Sequence, residues 1–288
     1  MPITTLLPRL WGMLGREPQW NAAGIRDEWF NVHFHWAADQ VHRLLSPHVD
    51  LRHGRLADFG CGDGITGLGL VLRHGYASYT GFDIRRSFDR LDATARREIG
   101  LRRLPRSLSF RQIAPGEPIA AAGPFEAVMS WSAFEHIGRD LIPGILADIR
   151  KSLVPGGLFM MQVDPLYYSP FGSHLGRFIR QPWAHLLYSD EEVKAMVRAA
   201  RAEDVPDVDK DLSFHEQSLD SFKEFILSEY AELNRLTADA LVRAGQDAGF
   251  TLLSQERHRA TEEPPAELIE RHGDTVLREQ SIFALFKA

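Results

Sequence analysis

The segment LADFGCGDGITGLGL, residues 56–70, places the strongest constraint on what this chain can fold into. A short apolar run that predicts a strand ends at Phe59. Gly60, Gly62 and Gly64 follow it, and a helical pattern comes next. Glycines permit positive φ angles and let a ligand approach the backbone closely. The segment therefore predicts a strand, a ligand-binding turn and a helix in direct succession.

Strand-like and helix-like segments alternate along most of the chain. Strands are predicted at 55–59, 78–84, 107–113, 125–131, 158–163, 251–259 and 280–288. Helices are predicted at 25–46, 65–75, 85–100, 140–153 and 236–250, and the Pro-Gly-Gly at 155–157 is expected to end the fourth of them before its strand begins. Such alternation implies parallel strands with right-handed crossovers. The predicted fold is α/β, a doubly wound, mostly parallel seven-stranded Rossmann-like sheet, whose last two strands pair with each other.

The alternation breaks between residues 165 and 235, where aromatic residues, prolines and short helical pieces replace it. We expect this stretch to be an inserted helical cap that recognises the substrate. Residues 51–164 and 236–288 then form the ligand-binding domain. Residues 1–50 are expected to be an N-terminal helical segment that covers the active site.

Composition narrows the class of protein. The 288 residues carry a formal net charge of −6, which argues against a nucleic-acid partner. The lone cysteine, Cys61, allows no internal disulfide and no cysteine-built zinc site, and it fits a reducing compartment. No apolar run is long enough to span a bilayer, and the N-terminus lacks signal-peptide features. We expect a soluble cytoplasmic protein with no membrane partner, and the oligomeric state, including a homodimer, stays open.

Two acidic residues indicate which ligand the glycine turn holds. Asp58 precedes the turn, and a carboxylate there would repel a pyrophosphate but favour a ligand that carries an ammonium and a sulfonium. The glycine spacing is also one residue shorter than in the dinucleotide fingerprint. Asp83 ends the second strand about 20 residues later, where an acid accepts hydrogen bonds from ribose hydroxyls. This charge pattern points to S-adenosylmethionine. The alternatives are a nucleotide-dependent oxidoreductase and, for Asp83, a helix N-cap.

The segments LADFGCGDG, GFDI, FEAVMSWSAFEHI and IRKSLVPGGLFMMQV together resemble class I S-adenosylmethionine-dependent methyltransferases, in the small-molecule branch called type 11 or 12. The resemblance covers 55–164 well and 236–288 plausibly. It implies the cofactor S-adenosyl-L-methionine and these contacts to it: Asp58, Gly60, Cys61, Gly62, Gly64, Asp83, Ile84, Ile113, Trp131 and Ser132. Many members place an acidic residue after the third strand, where it bonds the amino group of adenine. This chain has no such residue there, and Glu117 or a backbone carbonyl near Ile113 would take over that contact.

Two residues are predicted as catalytic. His136 follows the fourth strand, and a histidine takes up or releases a proton near neutral pH. Asp164 ends the fifth strand and is the second candidate general base. The structural alternatives are support of the loop for His136 and a turn before Pro165 for Asp164.

The predicted cap supplies residues suited to an acceptor. Aromatic side chains form flat apolar walls, and arginines suit carboxylate or phosphate groups. The predicted substrate contacts are Tyr167, His174, Arg177, Arg180 and His185, near Tyr168 and Trp183. They favour a hydroxyl of a sugar, a sugar nucleotide or a natural-product intermediate, although packing of the cap is the alternative for each. No metal is expected. A cofactor-binding regulatory protein without turnover, or an N- or C-methyltransferase, is the competing function.

Overall fold

The computed structural model describes residues 24–205 and 218–288, and in this part of the chain seven strands form one sheet in the order β3-β2-β1-β4-β5-β7-β6. Strand β1 pairs in parallel with β2 and β4, β2 pairs in parallel with β3, and β6 pairs antiparallel with β7. The strands are β1 (Arg55–Phe59), β2 (Ser78–Asp83), β3 (Leu108–Gln112), β4 (Phe125–Trp131), β5 (Leu153–Val163), β6 (Thr251–Arg259) and β7 (Glu279–Lys287). The predicted α/β fold with a mixed seven-stranded sheet is confirmed.

Helices connect the strands. They are α1 (Glu28–Asn31), α2 (Ala38–Leu45), α3 (Ile65–His74), α4 (Leu91–Ile99), α5 (Ile142–Ser152), α6 (Ala184–Leu187), α7 (Asp190–Ala199), α8 (Leu219–Glu232), α9 (Ala238–Asp247), α10 (Ala266–His272) and α11 (Asp274–Arg278). Helix α3 shows how the sequence sets such bounds. Gly64 before it and Gly75 after it both adopt the left-handed conformation, which glycine enters without steric cost.

The N-terminal helix differs from the simple amphipathic helix expected. A π-helical segment, Val32–Ala37, joins α1 to α2. Along the predicted helix 25–46, Trp29 and Trp36 are 50% and 46% exposed, whereas Phe30 and Phe34 are fully buried. The helix carries more apolar residues than one buried face can hold, so spacing alone did not identify its core side.

The strand after α5 also begins earlier than expected. Pro-Gly-Gly at 155–157 does not separate helix from strand, because β5 starts at Leu153 and includes all three residues. Gly156 has a φ of +75°, and the N–H of Ala288 donates to the carbonyl of Gly157. Backbone pairing thus extends the strand through residues that favour a turn.

The chain divides into two compact units. The first contains residues 24–131, 148–160 and 288 of the described chain, and the second contains 132–147, 161–205 and 218–287. A cluster in the first unit includes Phe30, Phe34, Ile65, Leu68 and Leu91. One in the second unit includes Tyr167, Leu175, Val193, Leu227 and Tyr230. The predicted boundaries of the cap and of the N-terminal segment stay predictions, and residues 1–23 of that segment lie outside the described residues.

Within the described ranges, no helix has both the length and the apolar character needed to cross a bilayer.

Candidate active site

The turn after β1 is formed by glycines in the left-handed conformation. Gly60, Gly62 and Gly64 have φ angles of +81°, +55° and +76°. The N–H groups of Gly60 and Cys61 both donate to the carbonyl of Phe82 at the end of β2. A Cβ added to Gly62 would meet no atom within 4 Å, whereas one on Gly64 would lie 2.5 Å from the Phe110 ring. Gly64 is therefore needed for packing, and Gly62 borders open space that a ligand can fill.

Asp83 fixes the geometry of this turn. Its Oδ2 accepts the N–H of Gly62 at 2.8 Å, and its Oδ1 accepts the N–H of Arg85 at 2.7 Å. A carboxylate has about four acceptor positions, so Asp83 keeps capacity for a ligand hydroxyl. The next side chain, Ile84, is 46% exposed. The predicted pair Asp83 and Ile84 therefore lies beside the glycine turn with polar and apolar surface to offer.

Asp58 lies deeper than the charge argument assumed. It is 2% exposed, and its Oδ2 accepts a hydrogen bond from the Tyr79 hydroxyl at 2.6 Å. Burial, with a smaller contribution from the nearby Asp83 and Asp63, raises the pKa of this carboxyl to about 7, although the Tyr79 bond opposes the shift. The Asp58 carboxyl is thus a buried group that is hydrogen-bonded to the neighbouring strand, and its contact with the ligand stays a prediction.

Ile113 and Glu117, the two predicted positions for a contact to adenine, follow β3. Ile113 is 5% exposed, and its N–H donates to the carbonyl of Asp83. The carboxylate of Glu117 accepts the N–H of Ala114 at 2.9 Å and an Arg111 bond at 2.7 Å. The backbone donor and the guanidinium both lower the pKa of Glu117. Glu117 is thus held to its own loop. Burial raises the pKa of the Cys61 thiol, which therefore stays protonated and is a poor nucleophile.

Sequence reasoning missed two tryptophans next to these elements. Trp29 Nε1 donates to Asp63 Oδ2 at 2.7 Å, within the glycine turn. Trp36 meets the predicted contact residue Trp131 edge to face, with ring centroids 5.5 Å apart. Both indole rings are partly exposed, and Trp29 lies against the glycine turn through its bond to Asp63. The surplus of aromatic residues on the N-terminal helix was the available signal.

In the second unit, Ser132 begins a loop that returns to the end of β5. Its N–H and its hydroxyl each donate to Gln162 Oε1 at 2.9 Å, and its φ is +45°. Asp164 Oδ1 accepts a hydrogen bond from Gln280 Nε2 at 2.9 Å. Burial raises the pKa of Asp164, a direction that the Gln280 bond and the charge of His258 oppose. The predicted residues Ser132 and Asp164 are neighbours here.

Three side chains of the second unit form a cluster that no spacing indicated. One ligand-type atom each from Glu135, His136 and His174 lies within 4.8 Å of the others. The two imidazole rings meet edge to face at 5.0 Å. Glu135 is 5% exposed, and burial raises its pKa to about 8. His136 and His174 were predicted for different roles, and folding brings them together.

The other predicted substrate contacts do not form one surface. Tyr167 is buried in the core of the second unit, and His185 Nε2 bonds its backbone carbonyl at 2.7 Å. Burial lowers the pKa of His185 to about 4, so its ring is neutral at physiological pH. Arg177 and Arg180 are exposed. The two arginine side chains are at the surface, whereas Tyr167 and His185 are buried within the second unit.

A family model described as a methyltransferase domain matches residues 32–255 of the chain. The match covers more than two thirds of the sequence. The chain belongs to this methyltransferase family. No curated protein sequence matches the chain.

Solved structures support the fold. An S-adenosylmethionine-dependent methyltransferase from Anabaena variabilis is 15% identical with a TM-score of 0.52, covering 100% of this chain and 95% of its own. One from Mesorhizobium loti is 14% identical with a TM-score of 0.51, covering 88% and 100%. One from Methanosarcina mazei is 16% identical with a TM-score of 0.51, covering 85% and 96%. At these identities the likeness establishes the architecture.

The methyltransferase domain uses S-adenosyl-L-methionine as its cofactor, and the residues of the first unit fit that group. The space at Gly62 accommodates a ligand lying on the backbone. Asp83 has acceptor positions for ribose hydroxyls, and Ile84 and the tryptophans offer apolar surface. When bound, the cofactor supplies an electrophilic methyl group on a sulfonium. The protein must hold an acceptor in line with that methyl and remove a proton where the acceptor requires it.

Proposed function

We propose that this methyltransferase transfers the methyl group of S-adenosyl-L-methionine to a hydroxyl of a small-molecule acceptor. Sugars, sugar nucleotides and acidic natural-product intermediates are the acceptor classes that its residues favour. A hydroxyl is a poor nucleophile until its proton is removed, so the proposal requires a base.

The state of Asp164 carries this proposal. Gln280 holds Oδ1, and the structure records no hydrogen bond to Oδ2 from any described residue. A carboxyl whose pKa is raised by burial is a stronger base than an exposed one once it is ionised. Asp164 is therefore held in place through one oxygen, while the other can receive a proton from a hydroxyl.

His136 is the second candidate base. Its Nδ1 lies 3.9 Å from Glu229 Oε2, and its ring stands against His174. A histidine among two carboxyl groups and a second imidazole is suited to holding a ligand as much as to moving a proton. We therefore assign proton removal to Asp164.

The exposed arginines favour an acidic acceptor. Arg177 and Arg180 lie in the segment that follows β5, and a guanidinium binds carboxylate or phosphate with paired hydrogen bonds. A sugar nucleotide or an acidic intermediate would supply such a group.

The experiment is a screen of hydroxylated acceptors with S-adenosyl-L-methionine, in which formation of S-adenosylhomocysteine reports turnover. With an accepted substrate, Asp164→Asn should lower kcat by roughly 10²–10⁴-fold while affinity for S-adenosylhomocysteine stays at the wild-type value. Asp239→Asn, which changes an exposed aspartate paired with Arg257, is the matched control and should leave kcat unchanged.

The pH profile gives an independent readout. Because the base must be ionised, wild-type kcat should rise with pH through the raised pKa of Asp164 and then level off. Glu135 and His258 are the titratable side chains that interact electrostatically with Asp164, so the profile includes their influence. Cofactor binding without turnover on any hydroxyl acceptor would contradict the proposal and favour a binding protein. Turnover on amines alone would favour N-methylation.

A further inference from the structure

The cluster of Glu135, His136 and His174 contains buried polar atoms that the protein itself leaves unsatisfied. Both carboxylate oxygens of Glu135 and Nε2 of His174 are buried, and among the described residues none forms a hydrogen bond with them. An unpaired buried acceptor or charge is destabilising by a few kcal/mol. Unsatisfied atoms on two side chains of one cluster therefore indicate a missing partner.

The orientation of His174 shows what kind of partner fits. Its ring bonds the backbone carbonyl of Pro165, and Nε2 is the nitrogen without a partner. A ring that donates one N–H to a carbonyl presents a lone pair on its other nitrogen. Metal-binding histidines are held by the same type of outer hydrogen bond. His174 also has a φ of +62°, so the backbone holds this residue in an uncommon conformation.

The charges around the cluster favour a cation. Glu229 Oε2 lies 3.9 Å from His136 Nδ1, and its side chain is 16% exposed. Asp164 and Glu229 both add negative potential at Glu135. Two ionised glutamates would neutralise the charge of a divalent ion.

We propose that Glu135, His136 and His174 bind one divalent transition-metal ion such as Zn²⁺, with Glu229 as an additional carboxylate beside it. Imidazole nitrogens with a carboxylate oxygen are a ligand set that zinc accepts. Metal–ligand bonds near 2.1 Å place the ligand atoms of one tetrahedral ion about 3.4 Å apart, so atoms within 4.8 Å need only small side-chain rotations to close on the ion. The site goes beyond methyl transfer to a hydroxyl, and it makes His136 a ligand rather than a base.

Metal content of the full-length protein tests the proposal directly. The protein is stripped with a chelator and titrated with ZnCl₂ by calorimetry, and the stoichiometry is checked by elemental analysis. We expect one Zn²⁺ per chain and a raised melting temperature that a chelator reverses. Co²⁺ in place of Zn²⁺ should give visible absorption bands typical of nitrogen and oxygen ligands. Binding well below one ion per chain, with no thermal stabilisation, would overturn the site without any variant.

Variants identify the ligands. Glu135→Gln and His174→Gln should each weaken Zn²⁺ binding at least about tenfold, and His174→Gln should change the Co²⁺ spectrum. His74→Gln is the matched control, since His74 is also a partly buried histidine that bonds a carboxylate, Asp39, but it lies outside the cluster. It should bind Zn²⁺ as the wild type does. Folded Glu135→Gln and His174→Gln proteins with wild-type affinity would show that the ion binds elsewhere.

The metal test is separate from the test of function. Loss of metal binding in Glu135→Gln is measured without any acceptor, so it is informative even if every hydroxyl acceptor fails. Conversely, hydroxyl methylation by a chain that binds no metal would leave the proposed function standing and remove the ion.

Discussion

The N–H of Asn234 donates to the carbonyl of Glu135 at 2.9 Å, which ties the end of α8 to the loop after β4. The side-chain amide of Asn234 also donates to the carbonyls of Phe134 and Ile137. One asparagine, 8% exposed, therefore satisfies three carbonyls around Glu135 and His136. These bonds set the position of both side chains, so Asn234 is a positioning residue for the cluster.

Removing the Asn234 amide should loosen this loop. Asn234→Ala leaves two carbonyls without their donor, and we expect the free energy of unfolding to fall by about 2–4 kcal/mol. Urea denaturation measures the change. Gln246→Ala removes an amide from an exposed position of α9 and should change stability by less than about 0.5 kcal/mol. Equal effects of the two substitutions would mean that the Asn234 bonds add nothing to stability.

Asp83→Ala should weaken cofactor binding by about 1–3 kcal/mol, because the ribose hydroxyls lose a charged acceptor and Gly62 loses the carboxylate that fixes its N–H. Calorimetry with S-adenosylhomocysteine measures the affinity. Asp89→Ala, in the turn that follows β2, is the control, since the exposed Asp89 pairs with the exposed Arg86. Wild-type affinity in Asp83→Ala would place the ribose elsewhere.

The sequence predicted the strands near the glycine turn accurately. The bounds of β1 and β4 agree with the prediction. Each is a largely apolar segment, and Gly60 follows the first of them and Ser132 the second. Asp83 was predicted beside the turn because the carboxyl ends of neighbouring parallel strands lie together at one edge of a sheet. Local pattern therefore sufficed to place Asp83 beside the glycine turn.

The remaining site residues depend on long-range packing. His174 lies 38 residues after His136 in the sequence, and the contact between them arises from how the segment after β5 folds. The hydrogen bond that buries Asp58 against Tyr79 likewise depends on the pairing of two strands. Neither periodicity nor motif spacing contains that information, which is why the sequence predicted no metal site.

The buried Asp58 should make stability depend on pH. Its pKa is raised from 3.8 to about 7 by burial, with Asp83 and Asp63 adding to the effect, while the Tyr79 bond opposes it. Between these two values the folded state holds a proton that the unfolded state has lost, so stability falls as pH rises. The loss approaches a few kcal/mol, at about 1.4 kcal/mol for each pH unit crossed.

Asp58→Asn isolates this contribution. An asparagine keeps an acceptor for the Tyr79 hydroxyl and has no proton to lose. The free energy of unfolding of the wild type should therefore decline relative to that of the variant between about pH 4 and pH 7, and the difference should level off above pH 7. A difference that stays constant over this range would show that Asp58 ionises as readily in the folded protein as in the unfolded chain.

Gly62 and Gly75 allow the predicted contact of the cofactor with the glycine turn to be tested against a matched control. Both have positive φ, at +55° and +71°, and a Cβ at either position meets no atom within 4 Å. Alanine should therefore destabilise the fold at both positions by a similar amount, about 1 kcal/mol. Only at Gly62 does the added methyl enter the space beside the N–H that Asp83 holds. Gly62→Ala should lower affinity for S-adenosylhomocysteine at least about tenfold, equivalent to 1.4 kcal/mol, and Gly75→Ala should leave it unchanged. If calorimetry finds the same affinity in both variants, the cofactor does not lie against Gly62, and the turn after β1 serves the packing of α3 instead.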